Sequence, residues 1–92
     1  MTTDELLVEC KKGLGMPLFG TNFDGPLTQK ILTVKMYMLG AGVSGSTIDN
    51  DLATGTIVMG VIDIWSIEGG GTKFSPLFYD FVTHLAIRSQ VV

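Results

Sequence analysis

Residues 52–68, LATGTIVMGVIDIWSIE, decide the fold, and they can be read in two ways. Thr54, Thr56, Ile57, Val58, Val61, Ile62 and Ile64 are β-branched, and Gly55 and Gly60 each weaken a helix by up to about 1 kcal/mol relative to Ala. Propensity alone favours strand. The run is nevertheless too long for one typical strand, and it contains no Asn-Gly or Asp-Gly pair to fold it into a hairpin. A helix apolar on all sides, buried at the domain centre with its glycines admitting neighbouring backbones, fits as well.

Downstream, GGGTKF (69–74) invites a phosphate-loop reading. A Walker A loop needs a glycine before Gly-Lys at fixed offset and Ser or Thr after the lysine. Here Lys73 follows Thr72 and precedes Phe74. The stretch reads instead as an interhelical turn: Gly69 suits the left-handed end of one helix, while Ser75 caps the next and Pro76 opens it. That helix, predicted over 76–89, carries an apolar face of Phe78, Phe81, Val82, Leu85 and Ala86, with Asp80, Thr83 and His84 opposite.

Upstream, AGVSGS (41–46) is a turn-rich break, after which Asp49 or Asp51 can cap the central segment. Before it, a helix over 26–41 is predicted, with Pro26 at its first position just after Asp24. Leu27, Ile31, Val34 and Met38 form one stripe of this helix, and Leu32, Met36 and Leu39 a second, set apart by Thr28 and Lys35. Two stripes imply two packing partners. GLGMPLFGTNFDG (13–25) reads as a loop whose Leu14, Phe19 and Phe23 tuck onto the core. A first helix is predicted over 3–12: Thr2 or Thr3 caps it, Asp4 and Glu5 sit in its first turn, and Lys11 and Lys12 close it before Gly13.

Ninety-two residues bound the chain to one domain, 1–92, with a small core. For such a chain 46% hydrophobic residues, 16% charged residues and a mean hydropathy of +0.41 leave apolar surface to face a partner. The longest uncharged apolar run, 52–62, is broken by Asp63 and falls well short of the roughly 20 residues that span a bilayer. MTTDELLVECKK has no basic n-region, so no signal peptide is expected. The net charge is −3, and the six basic residues are scattered, which gives no stripe to neutralise phosphates.

Candidate chemistry is thin. His84 lies one turn from Asp80, a surface pair by its spacing, and Cys10 behaves as a small hydrophobe rather than a nucleophile. No catalytic residue, cofactor or metal is expected: one His and one Cys form no ligand cluster, and DND (49–51) lacks the downstream Gly and Glu of a calcium loop. Trp65, Phe74, Phe78, Tyr79 and Phe81 lack the interleaved basic residues of a base-stacking platform and read as core. Met16, Met36, Met38 and Met59 suit either core filling or an adaptable partner surface.

Residues 31–86, ILTVKMYMLGAGVSGSTIDNDLATGTIVMGVIDIWSIEGGGTKFSPLFYDFVTHLA, resemble the small head-tail connector proteins of tailed bacteriophages, also called head completion or adaptor proteins. VKMYMLGAGV, the acidic residue before the central segment, DIW near its end, the glycine-rich turn and KFSPLFYDFVTHLA carry the likeness. It implies an all-α bundle of about four helices, with the central segment a helix over about 50–67. It implies a protein made in the bacterial host cytoplasm and placed at the virion's head-tail interface. There it forms a dodecameric ring beneath the portal protein after DNA packaging. The ring meets the next connector or tail-completion protein, lets DNA through without specific binding, needs no cofactor or membrane, and catalyses nothing. The long C-terminal extension of some members is missing here. The alternative is a small regulatory protein- or DNA-binding module, since residues 36–58 can be misread from a helix-turn-helix.

A closed ring needs two unlike patches on each subunit. The outer stripe Leu32, Met36 and Leu39 supplies one candidate. Ile87, on the polar side of the last helix, supplies the other.

Overall fold

The computed structural model describes residues 2–65 and 74–90, and every regular element among them is helical. Helix α1 (Thr3–Leu14), helix α2 (Asp24–Gly40), a short α3 (Gly45–Asp49), a 3-10 turn (Asp51–Ala53), α4 (Thr54–Trp65) and α5 (Pro76–Gln90) follow one another. The described residues are thus all-α, with four long helices among them.

Helix α4 is the middle of the bundle. It touches α1, α2 and α5 and buries Thr56, Ile57, Gly60, Val61 and Ile64. This explains why its β-branched residues are helical: burying one such side chain stabilises by about 1.5–3 kcal/mol, several times its helix penalty. Gly60 permits the approach, because a Cβ there would stand 2.6 Å from the Phe78 ring and 2.9 Å from a Val34 methyl. The expectation that both glycines admit neighbouring backbones is therefore corrected. Gly60 admits side chains, and a Cβ on Gly55 would meet nothing within 4 Å.

The inner stripe of α2, Leu27, Ile31, Val34 and Met38, is fully buried. From α5 come Phe78, Val82 and Leu85; Ala86 packs at the margin, and Phe81, expected on the same face, is 40% exposed. The phenyl rings of Phe74 and Phe78 stack with centroids 4.2 Å apart beneath Tyr37. Ser75 caps α5 as expected, its Oγ accepting from the Phe78 N–H at 3.3 Å. Its own N–H and Oγ donate to Asp63 Oδ2 at 3.0 and 2.8 Å, which ties the start of α5 to α4. The predicted helix end at Gly69 lies outside the described residues.

Several boundaries move for local reasons. Helix α1 begins in a reciprocal capping box between Thr2 and Glu5, and these bonds hold the Glu5 carboxyl below its ordinary pKa. It runs past Gly13 and ends at Gly15, whose φ of 71° is the left-handed turn. Helix α2 starts at Asp24, so Pro26 is third rather than first; the first-turn N–H groups have no intrahelical partner, and the ring is tolerated. The break at 41–46 contains the unexpected start of α3, capped by Ser44 Oγ on the Thr47 N–H. Asn50, rather than Asp49 or Asp51, caps the next turn through its bond from the Leu52 N–H at 2.9 Å. The predicted helix over 50–67 therefore enters through a 3-10 turn, and its last two residues fall outside the described part.

Candidate interaction surfaces

The outer side of α2 is apolar and bare. Leu32, Met36 and Leu39 are 52%, 71% and 53% exposed, while the inner stripe of the same helix is closed off completely. Ile87 on α5 is likewise exposed, at 58%. All four residues singled out in the sequence thus lie on the surface, in two patches on two helices.

A second surface was not foreseen. Lys11 was read as a helix-closing charge, yet it is 5% exposed and reaches under the α1–α2 loop. Its Nζ donates to the Gly20 carbonyl at 2.8 Å and stands 2.7 Å from Asp24 Oδ1. No donor is aligned on that oxygen for a hydrogen bond, so the pair is an ion contact and the aligned bond is the one to Gly20. An ammonium buried without partners would be costly; here the carbonyl and carboxylate replace its water. Turn bonds from Met16 N–H to the Lys11 carbonyl and from Gly20 N–H to the Pro17 carbonyl shape the same loop. Phe23 closes it by meeting Trp65 edge-on, with centroids 5.9 Å apart.

The loop held in this way presents Phe19 outward, 99% exposed, with Leu18 at 41% beside it. The expectation that Phe19 tucks onto the core is overturned: next to the latched Gly20 it stands clear of the bundle. Leu14 does pack on the core, and Phe23 is half-exposed. The signal that could have found this site is an uncharged stretch, 13–23, bracketed by Lys11 and Lys12 on one side and Asp24 on the other.

A third surface is a cleft of about 330 Å³ between the start of α4 and the middle of α5. Leu52, Gly55, Met59, Phe81 and Leu85 line it, with His84 at its side. The lining residues carry no carboxylate or ammonium, although Asp51 and Asp80 adjoin them in sequence.

Cys10 and His84, the two reactive side chains weighed in the sequence, lie on different helices. Cys10 is fully buried, and desolvation, with a smaller contribution from Glu9, pushes its thiol up to about 11. His84 and Asp80 are both on the exposed side of α5. Among the described residues no three His, Cys, Asp or Glu side chains gather as metal ligands, and no helix is long and apolar enough to cross a membrane. The aromatics divide: Phe74 and Phe78 are core, whereas Tyr79 and Phe81 are about two-fifths exposed at 42% and 40%. The methionines divide too, Met38 being buried and Met36 exposed.

Comparison of the chain with protein-family models, curated proteins and solved structures returns no match.

Proposed function

We propose that this chain is a structural subunit of a tailed-phage virion, forming a ring that joins the portal vertex of the head to the tail after DNA packaging. The observation that carries the reading is the contrast within α2, whose inner stripe is sealed while Leu32, Met36 and Leu39 stay bare. Contiguous apolar side chains on a small domain mark a surface that another protein covers. With Ile87 on α5 they give the two unlike patches of a head-to-tail ring contact. The net charge of −3 suits a channel through which DNA slides, because no array of Lys and Arg releases its counterions. In this reading the chain works by contact alone, and the next connector or tail-completion protein takes the face away from the portal.

The regulatory DNA-binding alternative gains nothing from α4, which lies where a recognition helix would: Thr54–Trp65 contains no Lys or Arg and faces the core. Co-assembly with the portal protein of the same phage tests the proposal. Binding to portal rings or packaged heads supports it; a folded chain that never binds either removes it. Filter binding at low salt serves the alternative, since a DNA reader shows steep salt-dependent affinity.

A further inference from the structure

We infer that Phe19 is the anchor with which one copy of this chain grips the next, seating in the cleft between the start of α4 and the middle of α5. The inference rests on the self-associating subunit reading and adds a shaped contact to its flatter patches.

Three observations lead to it. An exposed loop tip is ordinarily polar, whereas this one offers Phe19 at 99% exposure and is held in place. Lys11 fixes Gly20, Pro17 stiffens the turn, and Phe23 docks on Trp65. Such a ring loses little freedom when it binds, which is how aromatic anchors become the dominant contacts of an interface. The cleft is the matching shape. Gly55 leaves it open, since a Cβ there meets nothing, and Met59 and Phe81 give it adaptable and aromatic walls.

Charge selects the occupant. Two copies of a chain with net charge −3 repel each other on the whole, and a contact between surfaces without carboxylates adds no like-charge penalty of its own. Residues 16–23 of the loop contain no charged side chain, and the cleft lining, with His84 its one titratable member, contains no carboxylate or ammonium. Asp51 and Asp80, next in sequence to cleft residues, disfavour a nucleic acid or an anionic lipid surface there. Within one molecule Phe19 does not occupy the cleft, since it is 99% exposed. The loop docks on Trp65 at the end of α4, while Gly55 lies ten residues earlier, about 15 Å along the helix. Knob and cleft at opposite ends of one rigid helix make a head-to-tail contact, the type that closes into rings.

Sedimentation of the full chain from micromolar to millimolar concentration tests this with Phe19→Ser and Gly55→Leu. Both variants should fold, because Phe19 packs on nothing and Gly55 has open space and an ordinary backbone conformation. Wild type is expected to associate, and each variant to associate roughly tenfold more weakly or worse, with helical circular dichroism unchanged. An equimolar mixture of the two should recover a one-to-one pair and nothing larger, since only the Gly55→Leu knob and the Phe19→Ser cleft remain intact. A wild type that stays monomeric, a variant that assembles like wild type, or a mixture that fails to pair each overturns the inference. Rings that persist in both variants would reject the anchor and keep the ring-subunit reading. Knob-and-cleft pairing in a chain that never binds a portal would do the reverse.

Discussion

Lys11 and Asp24, thirteen positions apart, meet at 2.7 Å across the mouth of the α1–α2 loop, and the lysine is the more buried partner. Removing the ammonium while keeping its aliphatic stem isolates the latch. Lys11→Met should lower stability by about 1–3 kcal/mol, less than a fully buried pair would lose, because the Asp24 side chain is 35% exposed and can rehydrate. Urea denaturation of Lys11→Met, Asp24→Asn and the double variant measures it. A double variant close to the worse single one identifies one shared interaction; strict additivity denies it.

The two glycines of α4 should respond with opposite signs. Gly60→Ala forces a methyl against the Phe78 ring and Val34, and overpacking of this kind costs about 1–3 kcal/mol, outweighing a helix-propensity gain of up to about 1 kcal/mol. Gly55→Ala meets nothing and should gain up to about that 1 kcal/mol. Thermal melts of the pair decide. A stabilised Gly60→Ala would mean that α2 and α5 do not close on α4 as described.

Cys10 should be inert in the folded protein. Its neutral thiol is favoured by burial, so the folded pKa of about 11 lies above the ordinary value of 9.0. Stability from this group is full below pH 9.0 and is lost as pH rises through about 11, because the unfolded thiol ionises first. Labelling by a thiol reagent at neutral pH should be slow in buffer and fast in denaturant. Fast labelling of the native chain would contradict the burial.

The flat patches have their own test. Met36→Glu and Ile87→Lys replace exposed side chains, so each monomer should keep its helical spectrum and lie within about 0.5 kcal/mol of wild-type stability. In an assembled ring each would put a charge into a desolvated contact and cost several kcal/mol per interface. Light scattering should report lost assembly with circular dichroism unchanged. Unfolding of Met36→Glu would place that stripe in the monomer core.

The legible parts of this chain are those in which periodicity and burial agree. The α2 residues Leu27, Ile31, Val34 and Met38 repeat at helical spacing and all face inward, and Lys35 separates them from the bare stripe well enough to locate it. The cap at Ser75 was legible because Ser-Pro before an apolar run has one local meaning. By contrast, α4 conceals its helix because its residues are chosen for three packing partners rather than for propensity. The start of α3 was missed because Gly45 and Ser46 read as turn, whereas the Ser44 cap and the buried Ile48 fix a helix of five residues. The outward Phe19 runs against the general burial of aromatic side chains. The Lys11 bond to the neighbouring Gly20 depends on loop closure, which no local pattern encodes.

The edge-on contact between Phe23 and Trp65 makes the loop optically self-reporting. Trp65 is the chain's single indole, and the ring that covers it belongs to the segment that Lys11 holds down. Emission from this protein is therefore a one-site signal. Release of the loop with the helices still folded would hydrate the indole and shift its fluorescence to the red. Capture of Phe19 by a second copy, as proposed, would leave the colour in place and slow only the tumbling seen in anisotropy. Two such events on one short loop would thus separate into two channels of the same native chromophore.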